Sequence, residues 1–157
     1  MTQSIINQAH KSLIKSGKTI AVAESCTGGI LSSMLTELSG SSKYFVLGVV
    51  TYSNRVKHSV LAIPSSIISK KGAVSEEVAK LMAQNVRKLA KADMGIGITG
   101  IAGPTGATAR KPVGTVFIAL AGKNKTICKK FHFSGNRIKI RKLSALSALK
   151  LQRHFPM

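Results

Sequence analysis

Along the chain, apolar and polar positions follow two rhythms, and the changes of rhythm mark out the elements. From residue 2 to residue 16, Ile5, Ile6, Ala9, Leu13 and Ile14 fall on one face and predict an amphipathic helix that Gly17 ends. A short apolar strand runs from Thr19 to Ala23. It breaks at Glu24-Ser25-Cys26-Thr27-Gly28-Gly29, after which Ile30, Leu31, Met34, Leu35 and Leu38 predict a second helix. Ser39 to Ser42 reads as a loop. Tyr44 to Tyr52 is nearly unbroken in apolar residues, which predicts a strand buried on both faces and a sheet sandwiched between helices. Ser53 or Asn54 caps a third helix that Pro64 limits. Ser75-Glu76-Glu77 opens a fourth, with Val78, Leu81, Met82, Val86 and Leu89 as its buried stripe. Met94 to Ile98 alternates glycine with apolar residues and reads as a buried strand whose glycines imply close packing or close ligand approach. A Gly-rich loop from Thr99 to Gly106 continues loosely to Pro112. Val113–Ala121 and Thr126–Phe133 predict a hairpin, and Asn136 to His154 a last helix that mixes apolar with basic positions. The order α-β-α-β-α-α-β-β-β-α implies an α/β fold, a three-layer α/β/α sandwich with mixed β-sheet, in a single domain over residues 1–157.

Composition adds two constraints. No apolar run approaches the roughly 18 residues of a membrane span, and Met1-Thr2-Gln3-Ser4 lacks a basic n-region and apolar h-region. The expectation is a soluble, cytoplasmic protein with no membrane partner. The charge is +19, from 24 Lys and Arg against five acids, and every acid lies at or before Asp93. Such a field suits an anionic substrate or nucleic acid, but it also describes a solvated lysine-rich surface. With two Tyr, five Phe and no Trp, stacking platforms for single strands are scarce, so nucleic acid is not the expected partner.

The shortage of acids and the dispersed histidines (His10, His58, His132, His154) narrow the chemistry. Paired carboxylates would have to come from five acids, three of them on helix surfaces. No HxxH or HExxH spacing exists, and Cys26 and Cys128 form no metal-like pair. The expectation is chemistry without a metal, if there is chemistry.

Three polar loops follow apolar strands, at Glu24–Gly29, Thr51–Asn54 and Thr99–Gly106, where an open α/β sheet places its ligand crevice. Neither Gly-rich loop matches a nucleotide fingerprint. The first is a strand, a small-residue turn and a helix start within nine residues. That arrangement presents a hydroxyl or thiol beside free N–H groups and a favourable helix dipole, although a plain strand-to-helix turn has the same pattern. Ser25 and Cys26 compete as nucleophile. Without a His–acid pair the base for a hydroxyl is a lysine made neutral by burial or neighbouring positive charge. Lys57 fits, following a buried strand and flanked by Arg55 and His58, against the background of a chain rich in surface lysines.

Six strings occur together and in order: A-E-S-C-T-G-G (Ala23–Gly29), V-V-T-Y-S-N (Val49–Asn54), K-G-A-V-S (Lys71–Ser75), G-I-A-G-P (Gly100–Pro104), K-P-V-G-T-V (Lys111–Val116) and F-S-G-x-R (Phe133–Arg137). Over essentially the whole chain they resemble the CinA C-terminal domain family in its stand-alone, nicotinamide-nucleotide amidohydrolase form. The resemblance implies an anticodon-binding-domain-like sandwich and deamidation of nicotinamide mononucleotide to nicotinic acid mononucleotide and ammonia in pyridine-nucleotide salvage. It implies no metal and no cofactor, and a homo-oligomer, usually a dimer. Carried onto this sequence, Ser25 matches the nucleophile, Lys57 the base and Tyr52 a proton-relay or orienting partner. The backbone of Cys26, Thr27, Gly28 and Gly29 would hold the oxyanion, and Gly100, Ile101, Ala102, Gly103 and Pro104 would shape the substrate pocket. Arg137 is the candidate for the 5′-phosphate. The sequence departs from the family pattern at Lys71, where His is usual, at Thr105–Arg110, where Gly-Gly and acids are usual, and at Asn136, where Asp is usual. The rival readings are a non-catalytic, basic nucleic-acid-binding or competence-associated protein, and a cysteine hydrolase acting through Cys26.

Overall fold

The computed structural model describes residues 1–156. Its elements are α1 (Thr2–Ser16), β1 (Ile20–Glu24), α2 (Ile30–Thr36), a 3-10 turn (Ser41–Lys43), β2 (Phe45–Val50), α3 (Asn54–Leu61), α4 (Ser65–Lys71), α5 (Glu76–Ala90), β3 (Met94–Gly100), β4 (Thr115–Ala121), β5 (Thr126–His132) and α6 (Arg137–Arg153). The predicted caps set several helix starts. The hydroxyls of Ser53 and Ser75 accept from Val56 N–H and Val78 N–H, and the Asn136 side chain accepts from Lys139 N–H. Gly17, left-handed at φ 63°, closes α1 as the pattern predicts.

The strands form one mixed sheet in the order β2-β1-β3-β4-β5. β1 runs parallel to β2 and β3, and β4 is antiparallel to both β3 and β5. The α/β/α sandwich expected from the sequence is therefore the observed architecture. Its two faces are filled differently. On one face Ile20, Val22, Ile96, Ile98, Ile118 and Leu120 meet α1, α2 and α6 in the larger core cluster. On the other the strands offer Ala21, Ala23, Gly95, Gly97, Ala119 and Ala121, all small, and α5 lies close against them. A Cβ at Gly97 would fall 2.4 Å from Ala79 O, and one at Gly95 2.0 Å from Ala83 O. Those glycines serve helix packing rather than ligand approach.

Two expectations need correction. β2 is an edge strand paired with β1 alone, and it is half-buried, with Val46 and Val50 about half exposed. Its apolar run does not report burial on both faces, because position in the sheet is set by pairing and not by composition. Pro64 does more than end α3. It is the N-cap residue of α4, a seven-residue helix that the sequence reading omitted, since so short a segment shows barely two turns of periodicity.

Candidate active site

The cleft opens at the carboxyl ends of β1 and β3, and its geometry starts from how the turn after β1 is held. Glu24, the last residue of β1, is fully buried. Its carboxylate accepts from Gly29 N–H (3.0 Å), Leu31 N–H (3.1 Å), Ser32 N–H (2.8 Å) and the Ser32 hydroxyl (2.7 Å). A carboxylate at the first turn of α2 satisfies donors that a helix start leaves orphaned, and it complements the helix dipole. Ser25 follows directly, with its N–H donated to Ile98 O of β3. The Ser25 side chain therefore leaves a backbone fixed on both sides.

Lys57 reaches the same point from the first turns of α3. It is 1% exposed, and its Nζ donates to Ser25 Oγ (3.1 Å), Thr51 O (2.8 Å) and Tyr52 O (3.1 Å). Burial penalises the ammonium and lowers its pKa to about 8. Desolvation is the cause, not the neighbouring charge of Arg55 and His58: Arg55 is exposed, and His58 Nδ1 bonds Ile63 O at 2.8 Å. The two carbonyls also fix what the neutral amine can do. A carbonyl only accepts, so Thr51 O and Tyr52 O take the two N–H groups, and the lone pair is left to Ser25 Oγ–H. The arrangement is a hydroxyl aimed at a preoriented base.

Cys26 lies beside Ser25 but is a poor thiolate. Burial pushes its thiol up to about 11, and its Sγ is turned toward Gly100, where a Cβ would lie 3.1 Å from it. This weighs against the cysteine alternative.

The cleft has a volume of about 310 Å3. Its walls are Ser25 and Cys26, Tyr52 and Asn54, Ala73 and Val74, the Thr99–Gly103 stretch with Thr105 and Gly106, and Arg137 at the start of α6. Among the described residues no acid lines it, and Arg137 brings a positive charge to its mouth. Arg137 donates to Gly103 O (2.8 Å) and to the Tyr52 hydroxyl (2.9 Å), tying two walls together at the mouth. Lys111 braces a third wall, donating to Lys71 O (3.1 Å) and Val74 O (2.6 Å).

The CinA C-terminal domain model matches residues 2–155. The chain belongs to the CinA C-terminal domain family. A relative from Thermoanaerobacter pseudethanolicus, named for competence-damage induction, is 51% identical over 145 residues, 92% of this chain and 35% of that protein. A CinA-like protein of Geotalea daltonii is 49% identical over 86% of this chain and 33% of its own length. The chain thus spans about a third of the length of these curated relatives. Among solved structures, the competence damage-inducible protein A of Klebsiella pneumoniae superposes with a TM-score of 0.94 at 31% identity, covering 98% of this chain and 95% of that one.

In this CinA domain the residues singled out from sequence are brought together unevenly. Ser25, Lys57, Tyr52, Cys26, Gly100, Ile101, Ala102, Gly103 and Arg137 all line the cleft, whereas Thr27, Gly28, Gly29 and Pro104 do not. Gly28 N–H is taken by Ser25 O and Gly29 N–H by Glu24, so neither is free for a ligand. Tyr52 touches Lys57 through its carbonyl, while its hydroxyl bonds Arg137. Lys71, at the position where the resemblance leads one to expect His, pairs with Glu77 at 2.9 Å on the surface. Glu24, Asn54 and Thr99 lie in the loops expected to line the crevice but were not singled out, and Arg141 was missed. Glu24 had a local signal, an acid placed just before a helix start. Arg141 had none, because it reaches the turn from more than a hundred residues away.

Proposed function

We propose that this CinA domain is a nicotinamide-nucleotide amidase that converts nicotinamide mononucleotide to nicotinic acid mononucleotide and ammonia through a Ser/Lys acyl-enzyme. The observation that carries the reading is the buried Lys57 amine, 3.1 Å from Ser25 Oγ, with its other hydrogens assigned to two carbonyls. Neutral Lys57 takes the Ser25 proton as Oγ attacks the carboxamide carbon. The carbonyl oxygen becomes an oxyanion beside Cys26 N–H, in the turn between β1 and α2. As the tetrahedral centre collapses, the Lys57 ammonium returns its proton to the leaving nitrogen, and ammonia departs. Water, deprotonated by Lys57, then cleaves the ester and restores Ser25. The wall from Gly100 to Gly103 shapes the ring site, and Arg137 at the mouth binds the phosphate, for which a guanidinium is well matched. The reaction uses no metal, and the enzyme is cytoplasmic.

The test is ammonia release from nicotinamide mononucleotide by the pure protein. Ser25→Ala and Lys57→Met are each expected to lose at least about a thousandfold in kcat while keeping their circular dichroism. Arg137→Ala is expected to raise KM. A wild type that releases no ammonia, or folded variants that still do, would reject the reading, and an unchanged KM would reject the role of Arg137.

A further inference from the structure

The backbone polar groups of the turn can be accounted for one by one. Ser25 N–H donates to Ile98 O (3.0 Å), Gly28 N–H to Ser25 O (3.1 Å) and Gly29 N–H to Glu24 (3.0 Å), and Gly29 O accepts from Ser33 N–H (2.9 Å). Cys26 O and Thr27 O accept from one side chain, Arg141 of α6, through Nε (3.1 Å) and Nη2 (2.9 Å), and Thr27 O also takes a longer bond from Ile30 N–H (3.4 Å). Among the described residues, Cys26 N–H and Thr27 N–H donate to no other residue. Buried backbone donors are nearly always paired, so two spare donors next to a buried hydroxyl are suited to an acceptor brought by a ligand.

We propose that Arg141 is the positioning residue of the oxyanion site, acting on Cys26 N–H through two peptide units. This rests on the amidase reading above. A planar trans peptide points its N–H opposite to its C=O, so fixing one fixes the other. Arg141 holds the Thr27 carbonyl, and Gly28 N–H, on the far side of that peptide, then holds the Ser25 carbonyl. Cys26 N–H, on the far side of the Ser25 carbonyl and one residue from the Ser25 hydroxyl, is thereby fixed in direction. The second bond from Arg141, to Cys26 O, fixes the peptide that carries Thr27 N–H. Orientation is half of the effect. The guanidinium charge polarises each peptide in the chain in turn, which makes the terminal N–H a better donor to a developing negative charge. Gly28 admits the clamp: a Cβ there would lie 3.0 Å from Arg141 Nη2.

The experiment compares wild type with Arg141→Met in two assays, ammonia release from nicotinamide mononucleotide and phosphonylation of Ser25 by a fluorophosphonate, read by intact mass. Removing an oxyanion donor outright costs about 10²- to 10³-fold, so losing its alignment is expected to slow kcat and phosphonylation about 10- to 100-fold. KM should stay within twofold, and the rise of kcat with pH set by Lys57 should not move, whereas a merely loosened site would shift both. If Arg141→Met does not fold, Arg141→Gln, neutral and able to bond one carbonyl, is read the same way. A folded variant with wild-type kcat and labelling rate overturns the proposal. A wild type labelled at Ser25 that releases no ammonia rejects the substrate alone, because the labelling comparison still decides the role of Arg141. A wild type that does neither overturns both.

Discussion

Each end of the sheet holds a lysine and a carboxylate, and the two ends behave differently. At the carboxyl ends of β1 and β3, Lys57 and Glu24 are buried, and each is bonded to several fixed partners. At the opposite end, where β1 and β3 begin, Lys18 and Asp93 are more than two-fifths exposed and form an ion pair 3.7 Å long. The opposite end also has the larger cavity, about 420 Å3 against 310 Å3, lined by Lys18, Asp93 and the Gly122–Lys125 turn. Volume alone would not choose the candidate site. What separates them is desolvation: the exposed pair stays hydrated, while burial turns Lys57 into a candidate base.

The largest expected contrast is therefore between two lysine substitutions. Lys57→Met should lose at least about a thousandfold in amidase kcat, while Lys18→Met stays within twofold of wild type. Equal losses in the two would dissolve the distinction between the ends.

A smaller contrast concerns pH. With a pKa of about 8, Lys57 is mostly protonated at neutrality, so kcat/KM should rise about tenfold per unit below that value and level off above it. The same shift makes a stability prediction of known sign. The folded value lies below the ordinary 10.5, so between about pH 8 and 10.5 the unfolded chain binds more protons. Stability from this group is present above that window and is lost as pH falls through it. Thermal unfolding of wild type relative to Lys57→Met should show the gain from pH 8 to 10.5, and a flat difference would contradict a buried, depressed lysine.

Next in size is the carboxylate at the candidate-site end. Glu24→Gln puts an amide donor among four donors, leaving at least one unsatisfied, and should cost about 2–3 kcal/mol in urea unfolding. Because the same groups hold the turn, kcat should fall as well. A variant as stable as wild type would show that the buried charge is replaceable.

These contrasts also show what the sequence could and could not reveal. Strand, turn and helix around Ser25 were legible because the change of period and the paired glycines are local, as were the caps Ser53, Ser75 and Asn136. The closeness of Ser25 and Lys57 was suggested by their shared place after parallel strands, but the two carbonyls that orient the amine are backbone atoms that no residue type encodes. β2 was misplaced because an apolar run is the same string at an edge as in the centre, and Arg141 was invisible because its contacts cross the whole chain. Local chemistry was readable, and the pairings made by tertiary structure were not.

The smallest expected effect lies at the exposed end. The Thr19 N–H bonded to its carboxylate, with help from the Thr19 hydroxyl and Lys18, holds Asp93 below the usual carboxylate range. A carboxyl depressed in the folded state adds stability that is complete above its unfolded pKa, near 4, and is lost as pH falls through the lower folded value. Exposure screens most of that gain, so Asp93→Asn should cost under about 1 kcal/mol at pH 7. Its melting temperature should fall by a few degrees at most, with the difference from wild type closing as pH drops below 4. Amidase activity should not change, because nothing at that end reaches the cleft. A loss of activity in Asp93→Asn without a loss of fold would mean that the two ends are coupled through β1 and β3, and the separation drawn from burial would fail.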